Sequence, residues 1–140
     1  MASRSIDDLS AQVKARALLF QAECKARGFE VLIYCTLRSN AEQDDLYASG
    51  RTKNGPVLTC ARAGQSLHNP DEHGKAWAFD AVPVLAGKPQ WDNLDLLNAM
   101  GMAGEAVGLF WAGRWSGKLR ERVHFQMTRA TLTRAESVVP

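Results

Sequence analysis

Residues 77–84, with the sequence WAFDAVPV, form an apolar segment of strand length that carries one charged side chain, Asp80. Side chains alternate between the two faces of a strand, so Asp80 shares its face with Ala76 and Ala78, while the two aromatic residues share the other face. We expect the aromatic face to pack in the core. The small alanine side chains then leave room around the carboxylate for a bound group.

The first third of the chain predicts a helix followed by a strand. Apolar residues recur at steps of three and four from Ile6 to Cys24, which predicts an amphipathic helix that ends near Gly28. The continuous apolar run 31–35 is too short for an independent helix and predicts a strand covered on both faces. Arg38 follows directly after this strand.

The remaining elements are short and follow no regular βαβ repeat. A capping-box sequence at 39–42 begins a helix that runs from Asn40 to about Ser49 and is closed by Gly50. We expect an α+β fold, with a small antiparallel sheet and flanking helices. Further predicted elements are a glycine-weakened helix over 94–107, strands at 109–111 and 123–127, and a peripheral helix or frayed tail over 130–140.

Length and charge limit the class of protein. The 140 residues fit a single domain spanning 1–140. Lys and Arg number 17 against 15 Asp and Glu, and no basic run is interleaved with aromatic residues, which argues against nucleic acid as a partner. No apolar stretch reaches the roughly 18 residues of a transmembrane helix. We expect a monomer with no stable membrane association.

Three cysteines, Cys24, Cys35 and Cys60, are an odd number without the spacing of a metal site. Cys24 and Cys35 fall inside apolar patterns. We therefore expect all three to be reduced core residues rather than parts of a disulfide framework.

Three short segments supply the side chains of a hydrolytic zinc site. His68 and His124 offer imidazoles, Asp80 offers a carboxylate, and Glu121 lies three residues before His124. Catalytic zinc commonly takes three ligands from His, Asp and Glu and leaves a fourth position for water, which a nearby carboxylate deprotonates. Each residue alone has a commoner role, such as a surface histidine or a turn-capping aspartate. Their ordered combination favours metal binding.

The same residues resemble the signature of the zinc DD-/LD-peptidase family. The matching motifs are Ser66-x-His68, a Gly-x-Ala run that leads to Asp80, and Glu121-x-x-His124. The family includes D-alanyl-D-alanine carboxypeptidases, the D,D-dipeptidases of vancomycin resistance and phage endolysins that cut L-alanyl-D-glutamate bonds. Segments that resemble the endolysin branch are 36–39 with Gln43, 46–47, 50–52, 111–115 and 124–126.

The resemblance implies the D-Ala-D-Ala-peptidase fold, with zinc bound on the sheet by His68, Asp80 and His124. Glu121 is then the base that takes a proton from water and passes it to the leaving amine. Arg38 is implied as the group that stabilises the oxyanion, with a structural salt bridge as the alternative.

Three more residues are carried over from the family as substrate-binding candidates. Ser66 is expected to bond to substrate or to groups behind the metal ligands, and Gln43 to contact substrate or hold the loop of Arg38. Trp115, together with Trp111, is expected either to floor a substrate cleft or to pack in the core.

The first metal ligand has two candidates. The usual family spacing from histidine to aspartate is seven positions, which fits His73, whereas His68 precedes Asp80 by twelve. His68 has the Ser-x-His context, and extending the strand backward points His73 away from Asp80. We therefore favour His68 and interpret residues 69–73 as an inserted loop.

Glu121 and His124 fall on opposite faces of an ideal strand. A bend between Glu121 and Val123 is therefore required if the carboxylate is to reach water bound to the metal. The alternative is that Glu121 is a solvated charge beside Arg120 and Arg122.

The resemblance implies a peptidoglycan peptidase, first of all a phage endolysin that hydrolyses the L-alanyl-D-glutamate bond of the stem peptide. Alternatives are a D-Ala-D-Ala carboxypeptidase or dipeptidase and a non-catalytic zinc-binding module. From the length of the sequence we expect no separate cell-wall-binding domain. Residues 1–8 lack an apolar signal region. We therefore expect synthesis in the host cytoplasm and access to the wall through a phage holin-type partner.

Overall fold

Three α-helices and five short antiparallel strands form the part of the chain that the computed structural model describes, residues 2–128. The expected tail at 130–140 lies outside these residues. The α+β prediction is confirmed. In chain order the elements are α1 (Ala11–Ala26), β1 (Glu30–Cys35), α2 (Asn40–Ala48), β2 (Ala78–Leu85), β3 (Lys88–Pro89), α3 (Leu94–Ala106), β4 (Phe110–Trp111) and β5 (His124–Gln126).

The strands pair in the order β1-β2-β5-β4, with β3 added to β2 as a hairpin. Strand β2 is therefore central, and its Asp80 has Cys35 as its partner on β1 and His124 as its partner on β5. The hairpin was not predicted. Its two-residue turn consists of Ala86 and Gly87, which both have positive φ. Positive φ at both positions gives the type of turn whose twist matches that of the flanking strands.

Helices α1 and α3 cover one face of the sheet. Phe20 of α1 is fully buried between Phe79 of β2 and Phe125 of β5, with ring centroids 5.5 and 4.7 Å away. The expected alternation in β2 therefore holds, because Phe79 faces this core and Asp80 faces away from it. The predicted first helix is shorter at its start, since Ser10 caps α1 and residues Ile6–Asp8 form a separate 3-10 turn.

Two expectations about burial were wrong. Strand β1 is covered on one face only: Ile33 packs in the core, whereas Leu32 is 38% exposed. The reason is that the helices lie on a single face of this antiparallel sheet. All three cysteines are free, and Cys24 and Cys35 are buried as expected, but Cys60 is exposed.

No helix within residues 2–128 is long and apolar enough to cross a bilayer.

Glycines on α3 allow two large rings to approach the helix closely. A Cβ atom placed on Gly101 would lie 2.1 Å from the Trp111 ring, and one placed on Gly104 would lie 2.3 Å from Phe125. Gly113 approaches the same indole from its own side, also at 2.1 Å. The glycines that weaken α3 as a helix are therefore the residues that let the sheet pack against it.

Replacing Gly101 by alanine is expected to destabilise the protein. Helix propensity alone favours the change by about 1 kcal/mol, but overpacking a core typically costs about 1–3 kcal/mol and occasionally more. A 2.1 Å approach to a buried ring puts the overpacking cost at about 3 kcal/mol, the top of that range. We therefore expect a net loss of about 2 kcal/mol in the free energy of unfolding, measured by urea denaturation. Asn98→Ala, at an exposed position of the same helix, is the control and should change stability by less than about 0.5 kcal/mol. A Gly101→Ala protein as stable as wild type would contradict this packing.

Candidate metal centre

Three donor atoms meet on the face of the sheet opposite the helices. His68 Nε2 lies 3.2 Å from Asp80 Oδ1, His124 Nδ1 lies 3.1 Å from the same oxygen, and the two nitrogens are 3.2 Å apart. Ligands about 2.0–2.1 Å from a tetrahedral ion lie about 3.3 Å from one another, so this spacing is that of three corners of a zinc site. The N, N, O donor set also suits zinc.

Hydrogen bonds on the far side of each ring determine which nitrogen faces the centre. His68 Nδ1 donates to the Thr36 carbonyl at 2.7 Å, and His124 Nε2 donates to Gln126 Oε1 at 2.7 Å. With those positions protonated, the nitrogens that face each other carry lone pairs when both rings are neutral. Two lone pairs beside a carboxylate repel one another unless a cation, either a proton or a metal ion, lies between them.

The pKa shifts of the ligands follow from this arrangement. Burial on its own lowers the pKa of His68, but the hydrogen bonds to Asp80 and Cys35 outweigh it and raise that pKa above its ordinary value. Burial also disfavours the Asp80 carboxylate, yet the hydrogen bonds from His124 and His68 hold its pKa well below the usual range. Without a metal, the carboxylate is therefore ionised and the imidazole retains a proton that a metal ion would displace.

The backbone around His68 is fixed from two sides. Its carbonyl accepts from Arg38 N at 2.8 Å, while the adjacent Leu67 carbonyl accepts from Trp77 N at 2.8 Å. Ser66 Oγ accepts from His68 N at 3.1 Å, so the Ser-x-His motif is a local turn that orients the histidine. His68 is 2% exposed.

His73 lies away from the centre. Its side chain is 79% exposed, and its one ion-pair contact within residues 2–128 is with Glu72, at 3.9 Å. The loop that carries it is built on Asp71, whose carboxylate accepts from His73 N, Lys75 N and Trp77 Nε1 at 2.8–2.9 Å. The structure therefore brings His68, not His73, to Asp80 and gives residues 69–73 a compact structure of their own.

Cys35 lies beside the centre, a position that the sequence did not predict. A β-bulge between Ile33 and Cys35 shifts the register, so Cys35 pairs with Asp80 and leaves the core face that Ile33 occupies. Its sulfur lies 3.7 Å from His68 Nδ1. Cys35, His68 and Asp80 thus form a second, overlapping donor group. We favour the set with His124, because Thr36 already occupies the nitrogen of His68 nearest to the sulfur.

Glu121 stands at the solvent side of the donor atoms. Its Oε2 lies 3.7 Å from His124 Nδ1, and its side chain is 52% exposed. Residues 122–123 form a turn closed by a bond from His124 N to the Glu121 carbonyl, which provides the bend that the sequence required. The indole of Trp111 supports this turn by donating to the Arg122 carbonyl at 2.8 Å.

Arg38 is held by uncharged partners. Its Nη1 donates to Gln43 Oε1 at 2.9 Å and its Nη2 to Cys35 Sγ at 3.5 Å. No ion pair of Arg38 occurs among residues 2–128, which disfavours the salt-bridge alternative. Gln43 is fully buried and its amide donates to the Ala61 carbonyl at 2.8 Å. It therefore cannot contact a substrate directly, and its place is behind the site, as a support for Arg38.

A cleft of about 910 Å³ lies next to this centre and meets it at His124. Segment 57–61 forms one wall, and Ser66, Trp115, Lys118, Leu119 and Glu121 also line it. Trp115 lies on the cleft, with its ring 5.9 Å from that of His124, whereas Trp111 is buried in the core. Of the two expected locations, Trp115 therefore takes the cleft and Trp111 takes the core.

The sequence is similar to that of a characterised peptidase over most of its length. It is 34% identical over 129 residues to peptidoglycan L-alanyl-D-glutamate endopeptidase CwlK of Bacillus subtilis, covering 86% of this chain and 74% of the relative. No family sequence model matches the chain.

Solved structures share the fold at lower identity. One is the L-Ala D-Glu endopeptidase ChiX of Serratia marcescens, with a TM-score of 0.60, 19% identity, and coverage of 91% of this chain and 89% of that one. Another is the vancomycin resistance D,D-dipeptidase VanXYg, with a TM-score of 0.58, 19% identity, and coverage of 92% and 55%. Because its sequence is similar to that of CwlK and its fold is shared with these peptidases, this chain belongs to the zinc DD-/LD-peptidase family of peptidoglycan peptidases.

Proposed function

We propose that this protein is a zinc-dependent endopeptidase that hydrolyses the L-alanyl-D-glutamate bond of the peptidoglycan stem peptide. The observation that carries the proposal is the meeting of His68 Nε2, Asp80 Oδ1 and His124 Nδ1 within 3.2 Å of one another, next to a cleft that both His124 and Glu121 line. This particular bond is favoured because CwlK and ChiX are both named for it.

In this proposal His68, Asp80 and His124 hold the zinc. When bound, zinc supplies a Lewis acid that polarises the scissile carbonyl and acidifies a water molecule. Glu121 takes the proton of the attacking water and then delivers it to the leaving amine, as base and then acid. Its position suits both steps, since the carboxylate is close to a ligand nitrogen and also open to the cleft.

Arg38 supplies positive charge at the edge of the centre. Within residues 2–128 no carboxylate neutralises its guanidinium, which contacts Cys35, the residue whose sulfur lies 3.7 Å from His68. A fixed cation at this edge stabilises negative charge that develops on the carbonyl oxygen. Gln43 is the positioning residue for this cation.

We further propose that the peptidase acts in phage lysis, reaching the wall from the host cytoplasm through a holin-type partner. Support comes from the motifs that resemble the endolysin branch, among them Gly50-Arg51-Thr52. Here Arg51 stacks on Tyr47, with its guanidinium carbon 3.8 Å from the ring centroid, and donates to the Thr59 carbonyl. Arg51 thus links helix α2 to the cleft-lining segment 57–61.

Expression of the protein in host cells should lower the turbidity of the culture only when a holin is co-expressed. Lysis without a holin would contradict the need for that partner.

The bond specificity is tested by mass spectrometry of the products released from purified peptidoglycan. We expect stem peptides that begin with D-glutamate and lack L-alanine, because the alanine stays on the glycan. A chelator should abolish the release and added zinc should restore it. Loss of only the terminal D-alanine would identify a carboxypeptidase instead, and no release at all would favour a non-catalytic zinc-binding module.

Metal binding and catalysis should separate at neighbouring residues. His68→Ala removes a ligand and is expected to lower zinc affinity by more than the roughly 10–100-fold loss typical of a residue behind the ligands. Glu121→Gln should keep stoichiometric zinc but lower kcat by at least about a hundredfold, since it lacks a proton acceptor. Zinc content after dialysis, competition with a chromophoric chelator and peptide hydrolysis measure both properties.

His73→Ala is the matched control for the ligand variant, because it deletes an exposed imidazole five residues away in sequence from His68. It should match wild type in zinc content and turnover. Loss of zinc in His73→Ala but not in His68→Ala would overturn the ligand assignment. Wild-type turnover by Glu121→Gln would show that another group is the base.

A further inference from the structure

The cleft contains one lysine whose charge the site described so far does not use. Apart from the imidazole of His124, Lys118 is the sole basic residue and Glu121 the sole acidic residue among the described residues that line the cleft. Lys118 is exposed, and no ion pair of its ammonium group occurs within residues 2–128. By contrast, Lys14 and Lys53 are paired with Asp7 and Asp45.

The backbone holds Lys118 on the same loop as the proposed base. The Ala112 carbonyl accepts from Trp115 N at 3.1 Å and from Glu121 N at 3.2 Å, so the two ends of the segment 115–121 are tied to one atom. Arg120 Nε also donates to the Trp115 carbonyl at 3.0 Å. Lys118 lies in the 3-10 turn Gly117–Leu119 within this closed loop. Lys118 and Glu121 are therefore carried by one loop whose ends are tied together by hydrogen bonds.

The chemistry of the proposed substrate places a negative charge close to the bond that is cut. In the stem peptide, D-glutamate is joined to the next residue through its γ-carboxyl group, so its α-carboxylate is free. That carboxylate is attached to the same Cα atom as the nitrogen of the L-alanyl-D-glutamate amide. The group to which Glu121 delivers a proton thus carries an anion two bonds away, and two carboxylates in one cleft repel each other unless a cation separates them.

We propose that Lys118 is a specificity-determining residue: its ammonium group binds the free α-carboxylate of the D-glutamate on the leaving-group side of the scissile bond. The proposal rests on the endopeptidase function proposed above. An ammonium group on a flexible stem pairs with a carboxylate as a point charge and needs no fixed fork geometry, which suits an exposed loop. Stem peptides in which this α-carboxylate is amidated lack the charge and become poor substrates.

The test compares two synthetic muropeptides that differ only at this group, one with the D-glutamate α-carboxylate and one with its α-carboxamide. A hydrogen bond to a charged group that is lost in one twin corresponds to roughly a tenfold difference. The zinc-loaded wild-type protein should therefore cleave the carboxylate twin with a kcat/KM about tenfold higher. High salt should reduce this preference.

Variants at Lys118 identify the source of the preference. Lys118→Met keeps the side-chain length without the charge and should lose about tenfold in kcat/KM on the carboxylate twin, with little change on the carboxamide twin. Lys118→Arg should retain most of the preference. Lys88→Met, which removes a charge from the exposed hairpin strand β3, outside the set of cleft-lining residues, is the control and should keep the wild-type ratio.

Equilibrium binding gives a readout that does not depend on turnover. In the Glu121→Gln background, calorimetry should show tighter binding of the carboxylate twin, and adding Lys118→Met should remove the difference. Cleavage of both twins with the same ratio in Lys118→Met as in wild type would overturn the role of Lys118 and leave the endopeptidase standing. Cleavage of neither twin by wild type would instead refute the endopeptidase, while the binding difference would still decide whether Lys118 recognises the carboxylate.

Discussion

A single carboxylate oxygen, Asp80 Oδ1, organises the site and the register of the sheet that carries it. It lies between two imidazoles, 3.2 Å from His68 Nε2 and 3.1 Å from His124 Nδ1, on the central strand β2. An anion this buried is tolerated only when it is paired. A slip of one residue between β2 and β5 would turn His124 into the core and leave the anion with one partner. The core and the charge pairing therefore demand the same strand register.

The turn between Glu121 and His124 depends on the packing of one indole ring. Trp111 is held between Gly101 and Gly113, either of which would clash with it if it carried a Cβ atom, and its Nε1 donates to the Arg122 carbonyl. That carbonyl lies in the turn between Glu121 and His124. Through this indole, helix α3 thus supports the turn that carries the proposed base and one proposed metal ligand. The glycines lower the helix propensity of α3, but they allow the aromatic rings to pack closely against the helix. This benefit becomes visible only in the folded structure.

Much of this arrangement follows from local sequence rules. Strand alternation places Asp80 on the face opposite Phe79, and the capping box marks the start of α2. Glu121 and His124 would fall on opposite faces of an ideal strand, so the turn between them is also predicted. Other features depend on distant partners that no local pattern encodes. The bulge that brings Cys35 to His68 is a property of pairing with β2, and the exposure of Leu32 depends on which face the helices cover. The loop that carries His73 is ordered by three hydrogen bonds that the Asp71 carboxylate accepts. The length of the inserted segment, which the sequence shows, does not predict these bonds.

The division between buried and exposed groups matches the two tasks that hydrolysis sets. In the proposed mechanism the metal ligands must stay fixed, and His68 and His124 are 2% and 6% exposed, each with its second nitrogen held by a hydrogen bond. The proposed proton carrier must instead reach first a water molecule and then an amine, and the side chain of Glu121 is 52% exposed. Burying Glu121 would remove its access to the cleft and would add a second desolvated carboxylate beside Asp80. In the proposed mechanism, the exposed position of Glu121 therefore lets one carboxylate bind the metal while the other transfers protons.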